Sequence, residues 1–110
     1  MLNGFMKNAN SDGLAASVVA MTRSGRLFGL TGINTGADQF IQIHDAAEAP
    51  SAGATPAVSF KVPSGESFSL DYAPYGRHFV NGIVVCNSST ADTLTAGAAD
   101  CMIDVQYRED

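Results

Sequence analysis

The chain has 110 residues, enough for one domain with a modest core and no need of a metal or a disulfide lattice. Only 15% of it is charged against 45% hydrophobic, the net charge is −5 and the six Lys and Arg form no run, which excludes the phosphate-neutralising footprint of a direct DNA or RNA binder. A surface that must be largely small and uncharged suits packing against copies of itself or a larger partner, because few charges have to be desolvated there.

Residues 1–13 read as a polar, glycine-punctuated arm whose apolar anchors are Leu2, Phe5 and Met6, and residues 14–110 as the folded domain. The first twenty residues, interrupted by Asn8, Asn10, Ser11 and Asp12, form neither a signal peptide nor a membrane span, so synthesis in a cytoplasm is expected. Three anchors bury too little apolar surface to fold alone. The arm is therefore expected to order on a partner such as a neighbouring copy, and deletion of residues 1–12 to leave the domain folded.

Residues 14–22 and 27–33 read as strands joined in a hairpin about Ser24-Gly25. Residues 39–45 form a third strand with Ile41 and Ile43 pointing into the core, followed by a surface loop over 46–56. Residues 57–62 and 67–72 both alternate with period two around the turn Pro63-Ser-Gly-Glu66. This predicts a hairpin pairing Val62 with Phe68, Phe60 with Leu70 and Val58 with Tyr72, with Ser59, Lys61, Ser69 and Asp71 in water.

Residues 77–90 read as a central strand. Phe79, Ile83 and Val85 lie on one face and Val80, Val84 and Cys86 on the other, the pattern of a strand buried on both sides or crossing a core, and Gly82 marks a bulge or close backbone approach. After a small-residue connection over 91–100, residues 101–107 alternate again. An antiparallel pairing of Cys86 with Cys101, Val84 with Ile103, Gly82 with Val105 and Val80 with Tyr107 matches apolar with apolar. In a cytoplasmic product the two cysteines are expected as free thiols. Seven short strands without a helical run predict an all-β fold: a single antiparallel β-sandwich or jelly-roll-like domain with an extended N-terminal arm.

His44, Asp45 and Glu48, with His78 approaching in space, supply raw material for a divalent metal, but a His-Asp pair at a strand end more commonly closes a turn, and no metal or cofactor is expected. Asp92, Asp100 and Asp104 lack EF-hand spacing and read as edge charges. No nucleophile elbow occurs and the cysteines point inward, so no enzyme activity is expected. Tyr75, Arg77 and His78 bracket a Pro-Gly turn and offer a protein- or glycan-contact patch, since Tyr and Arg supply large amphipathic contact area.

Four segments, QFIQIHD at 39–45, PAVSFKVP at 56–63, YGRHFVNGIVVCNSST at 75–90 and DCMIDVQYR at 100–108, together resemble a group of small β-sandwich proteins encoded among the virion genes of tailed bacteriophages. The resemblance spans roughly residues 26–108, is carried by strand and turn order, and transfers no functional residue set. It implies a structural virion protein, foremost a capsid decoration or cement protein, with a head-to-tail or tail-tip component as a near variant. Such a protein would be made in the host cytoplasm, reside in the virion and act as a homo-oligomer on the major capsid or another virion protein, without direct contact to nucleic acid or membrane. The alternative is a carbohydrate- or receptor-binding module of a tail or head fibre using Tyr75, Arg77 and His78.

Overall fold

Short alternating runs separated by Gly, Pro, Asn and Ser fold as extended strands. In the computed structural model, which describes residues 6–110, there are nine of them: β1 (Lys7–Asn10), β2 (Ser17–Met21), β3 (Gly25–Asn34), β4 (Gln39–His44), β5 (Val58–Val62), β6 (Ser67–Asp71), β7 (Arg77–Phe79), β8 (Ile83–Ser88) and β9 (Cys101–Glu109). No helix occurs among the described residues. The two strands beyond the expected seven are β1 and the extra piece made by breaking the central strand.

The strands form two antiparallel sheets. The first has the order β1-β9-β3-β6, with β7 pairing the start of β3, and the second has the order β2-β8-β4-β5. With β6 and β7 taken as one interrupted strand, the pairings nest: β1 with β9, β2 with β8, β3 with β6 and β7, β4 with β5. A long antiparallel hairpin has been rolled so that β3 also meets β9 and β4 meets β8. That is the jelly-roll arrangement of a β-sandwich, within the all-β class expected from the sequence.

Between the sheets lie Met21, Leu27, Leu30, Ile41, Ile43, Phe79, Ile83, Val85, Ile103 and Val105, all buried. Ile41 and Ile43 are core residues as expected. Phe60 and Phe68 meet edge to face across the sandwich, ring centroids 6.1 Å apart, a favoured aromatic geometry.

Four expectations about partners are corrected. The segments 57–62 and 67–72 are not a hairpin: β5 pairs with β4 and β6 with β3, in opposite sheets. Their alternation still identifies the inward side, because Val58, Phe60, Val62, Phe68, Leu70 and Tyr72 all pack on the one core. Alternation specifies the face a side chain takes and is silent about the neighbouring strand. For the same reason β2 and β3 are not a hairpin either, since the chain changes sheet between them. Third, β8 does not pair with β9. Cys86 and Cys101 stand in different sheets as buried free thiols, and Val84 and Cys86 turn away from the main core into a smaller cluster with Leu94. Fourth, part of the segment read as an arm belongs to the sandwich: β1 adds to the edge of β9, from Lys7 opposite Tyr107 to Asn10 opposite Asp104. Of its anchors, Met6 is exposed, and Leu2 and Phe5 lie outside the described residues.

The central strand breaks at Gly82, where the chain leaves the first sheet after β7 and enters the second at β8. Gly82 has φ 155°, and a Cβ there would collide with the backbone carbonyls of Met21 and Ala46. The crossing is pinned by Asp45, whose carboxylate accepts the backbone N–H of Val80, Asn81 (2.8 Å) and Gly82. The break also releases Val80 from the alternation, leaving it exposed rather than inward.

Candidate interaction surface

The outer faces of the two sheets differ. The second sheet is covered by the chain's own loops. Leu94, from the connection between β8 and β9, is buried on Val84 and Cys86 beside Ala46 and Ala54. The two covering loops are clasped by Gly53 N–H to the Leu94 carbonyl (2.9 Å) and Leu94 N–H to the Ala54 carbonyl (2.8 Å). Gln42, fully buried on this face, donates its amide to the carbonyls of Thr90, Ala91 and Thr93. Those acceptors fix the amide nitrogen, so the amide oxygen faces His44 Nε2 at 2.9 Å and that ring nitrogen is the donor. Burial lowers the pKa of His44 and favours its neutral form.

This arrangement removes His44 from any metal set. Asp45 is occupied by the backbone of the crossing, and His78 stands on the other sheet with its Nε2 3.1 Å from Asp110. Among the described residues no group of three or more His, Cys, Asp and Glu side chains is placed to hold a metal. Asp104 instead accepts amides from Asn8, Asn10 and Gln106; burial works against its charge, and the three hydrogen bonds together hold its pKa below the usual value. Asp100 accepts from Gln39 (2.8 Å) and Asn87 (3.0 Å) in a buried polar cluster with Asn34 that ties the ends of β3, β4 and β8 to the loop before β9. Burial pushes the thiols of Cys86 and Cys101 up to about 11, which leaves them protonated and poor nucleophiles at neutral pH.

Among the described residues no loop covers the outer face of the first sheet. Ile33 and Met102 lie opposite each other on β3 and β9, both exposed, and the exposed Leu14 precedes the residue that bridges Cys101. Past the amide-carboxylate group at Asp104, the face sinks into a groove of about 490 Å³ lined by Met6, Phe28, Thr31, Asp71, Ala73 and Gln106, among others. Phe28 is the extra residue of a β-bulge, since Leu27 opposes Tyr107 and Gly29 opposes Gln106.

The turn carrying Tyr75 closes one end of this groove. Ala73 lines it, and Gly76, at φ 77°, is so close to Arg26 and Phe28 that a Cβ would come within 3.1 Å of both side chains. Tyr75 is 83% exposed. Arg77 places its guanidinium 5.6 Å from the centre of the Phe79 ring, a cation–π distance. His78, Arg26 and Arg108 stand opposite one another across β7, β3 and β9. The structure thus brings Tyr75, Arg77 and His78 to one exposed end. Nothing local in the sequence marks Ile33, Met102 and Leu14 as exposed, because their exposure depends on which sheet face receives a loop. Compared with known proteins, the chain matches no protein family, no curated protein and no solved structure.

Proposed function

We propose that the protein is a structural component of a tailed-bacteriophage virion, foremost a capsid decoration or cement protein, acting through protein-protein contacts as a homo-oligomer. The observation that carries the reading is the asymmetry of the outer faces. The chain seals one sheet with its own loops, while the described residues leave the other sheet open with Leu14, Ile33 and Met102 exposed on it. Exposed apolar side chains in a low-charge surround are the composition of a protein contact. The jelly roll is compatible with this and does not by itself assign it, since the architecture serves capsid, lectin and enzyme families alike. The resemblance of the four segments supplies the virion context.

Mass spectrometry of purified particles, with labelled-antibody microscopy, tests the reading: the chain is expected in many copies on the particle, and its absence from particles overturns the proposal. A second reading, glycan or receptor binding through Tyr75, Arg77 and His78, draws on the groove that the Tyr75 turn closes at one end, whose volume lies in the range of small-ligand sites and whose wall includes Phe28 with Asp71 and Gln106. A glycan array probed with the wild type and with Tyr75→Ala, Arg77→Ala protein separates it from the first, because only glycan binding gives a signal that this variant loses.

A further inference from the structure

The charges of this acidic chain are sorted by position. Five of the six Lys and Arg (Lys7, Arg23, Arg26, Arg77 and Arg108) and His78 gather where β3 begins, β7 lies and β9 ends, with the carboxylates of Asp45, Glu109 and Asp110 among them and Asp71 at the base of the turn that carries Tyr75. Glu109 is engaged by Lys7 and Arg23, and Asp110 by His78. Among the described residues Arg26, Arg77 and Arg108 have no carboxylate within ion-pair distance, and the buried Nε of Arg108 has no acceptor. The sixth cation, Lys61, lies on β5 of the other sheet.

Four other carboxylates, Asp12, Asp38, Glu66 and Asp100, mark the opposite end, where β3 and β4 meet the 63–66 turn and β9 begins. β3 runs from one end to the other over ten residues, about 30 Å at strand rise. That is roughly three Debye lengths at 0.1 M salt, so the two ends do not neutralise each other within one molecule.

Each end also offers apolar contact. Tyr75 and the 65% exposed Val80 stand at the basic end, and Leu14, Ile33 and Met102 at the acidic end. Exposed Tyr and Arg together are the side chains that dominate binding energy in protein interfaces.

We infer that copies of this chain associate head to tail, the basic end of one docking on the acidic end of the next. Like ends repel, so a two-fold contact between identical ends is disfavoured, and the heterologous contact either closes into a ring or continues as a stack. The inference rests on the homo-oligomer part of the proposed function and adds the contact. It is tested on isolated protein, so its failure and absence from virions are separate results.

The experiment is complementary charge reversal read by sedimentation velocity. One variant carries Arg23→Glu with Arg77→Glu, making both ends acidic; the other carries Asp38→Lys with Glu66→Lys, cancelling the charge of the acidic end so that it no longer attracts a basic one. All four positions are exposed, and circular dichroism confirms that each variant folds. Wild type is expected to associate with rising concentration, and to do so at least about tenfold more weakly at 0.5 M than at 0.05 M NaCl, because exposed ion pairs are screened. Each variant alone is expected to be monomeric, and an equimolar mixture to associate again. Wild type that stays monomeric at millimolar concentration in low salt overturns the inference. So do variants that each associate like wild type, or a mixture that remains monomeric.

Discussion

Phe79 and Val80 are sequence neighbours in opposite environments, 1% and 65% exposed. Truncating the buried ring, Phe79→Ala, is expected to cost about 3–5 kcal/mol through lost transfer energy and the cavity left behind. Val80→Ala is expected to stay within about 0.5 kcal/mol. Denaturant unfolding of the two variants measures this, and similar losses refute the placement. Alternation places Phe79 inside, as observed, but also carries Val80 inward with Val84 and Cys86, because a period-two pattern runs through Gly82, where the backbone in fact changes sheet. His44 gives a pH prediction. Its folded pKa lies below 6.5 because burial disfavours the charged form, whereas the unfolded chain titrates near 6.5. Between those two values the unfolded state binds more protons, so the neutral histidine's contribution is complete above pH 6.5 and declines as pH falls toward the folded pKa. The melting temperature should therefore drop between pH 7.5 and 5.5, and His44→Gln, which cannot titrate, should show a smaller drop. An equal drop in both proteins contradicts the assignment.

The break between β7 and β8 depends on one residue with no room for a side chain. Gly82→Ala brings a Cβ against two backbone carbonyls at a φ that L-residues rarely adopt, and is expected to cost more than about 2 kcal/mol. Gly53→Ala, also at positive φ but with nothing within 4 Å, should cost only the backbone strain, about 1 kcal/mol. Chemical denaturation of the pair separates crowding from strain. β1 overturns the expectation for the N-terminal segment. Deleting residues 1–12 removes an edge strand whose Ala9 lies opposite buried Val105, together with the hydrogen bonds between Ser11 and Ile103. A loss of about 2 kcal/mol, roughly 5–15 °C in melting temperature, is expected under monomeric conditions. An unchanged melting temperature would show that β1 adds nothing to the sheet's stability. Lys7-Asn-Ala-Asn10 carries too few apolar residues to announce a strand; it is one because β9 offers a free edge. Strand existence was legible elsewhere because period-two patterning is local. Strand partners were not, since the turns at Arg23 and at Pro63-Ser-Gly-Glu66 resemble hairpin turns yet carry the chain from one sheet to the other.

For the whole molecule, if it decorates particles as proposed, the open face of the first sheet is where attachment would be lost. Ile33→Asp with Met102→Asp changes two exposed, mutually opposed side chains. The fold is expected to survive, while binding to particles stripped of this protein falls at least about tenfold, some 1.4 kcal/mol. Undiminished binding would move the contact elsewhere. The exposed end with Tyr75, Arg77 and His78 was legible because an aromatic beside a Pro-Gly turn announces itself locally. The sealed face was not: Leu94 covers Val84 only because loops some forty residues apart clasp each other through Gly53 and Ala54. The nested pairing has one more consequence, in time rather than energy. β9, the last of these nine strands to be made, inserts between β1 and β3, and its pairing with β1 joins Lys7 to Tyr107, a hundred residues apart. Until β9 emerges from the ribosome, β1 has no partner and one long edge of β3 stays open to any passing strand. Folding should accordingly take milliseconds to seconds, the pace of non-local β topologies, and a growing chain that stalls before residue 101 should aggregate through the edge that β9 would have closed.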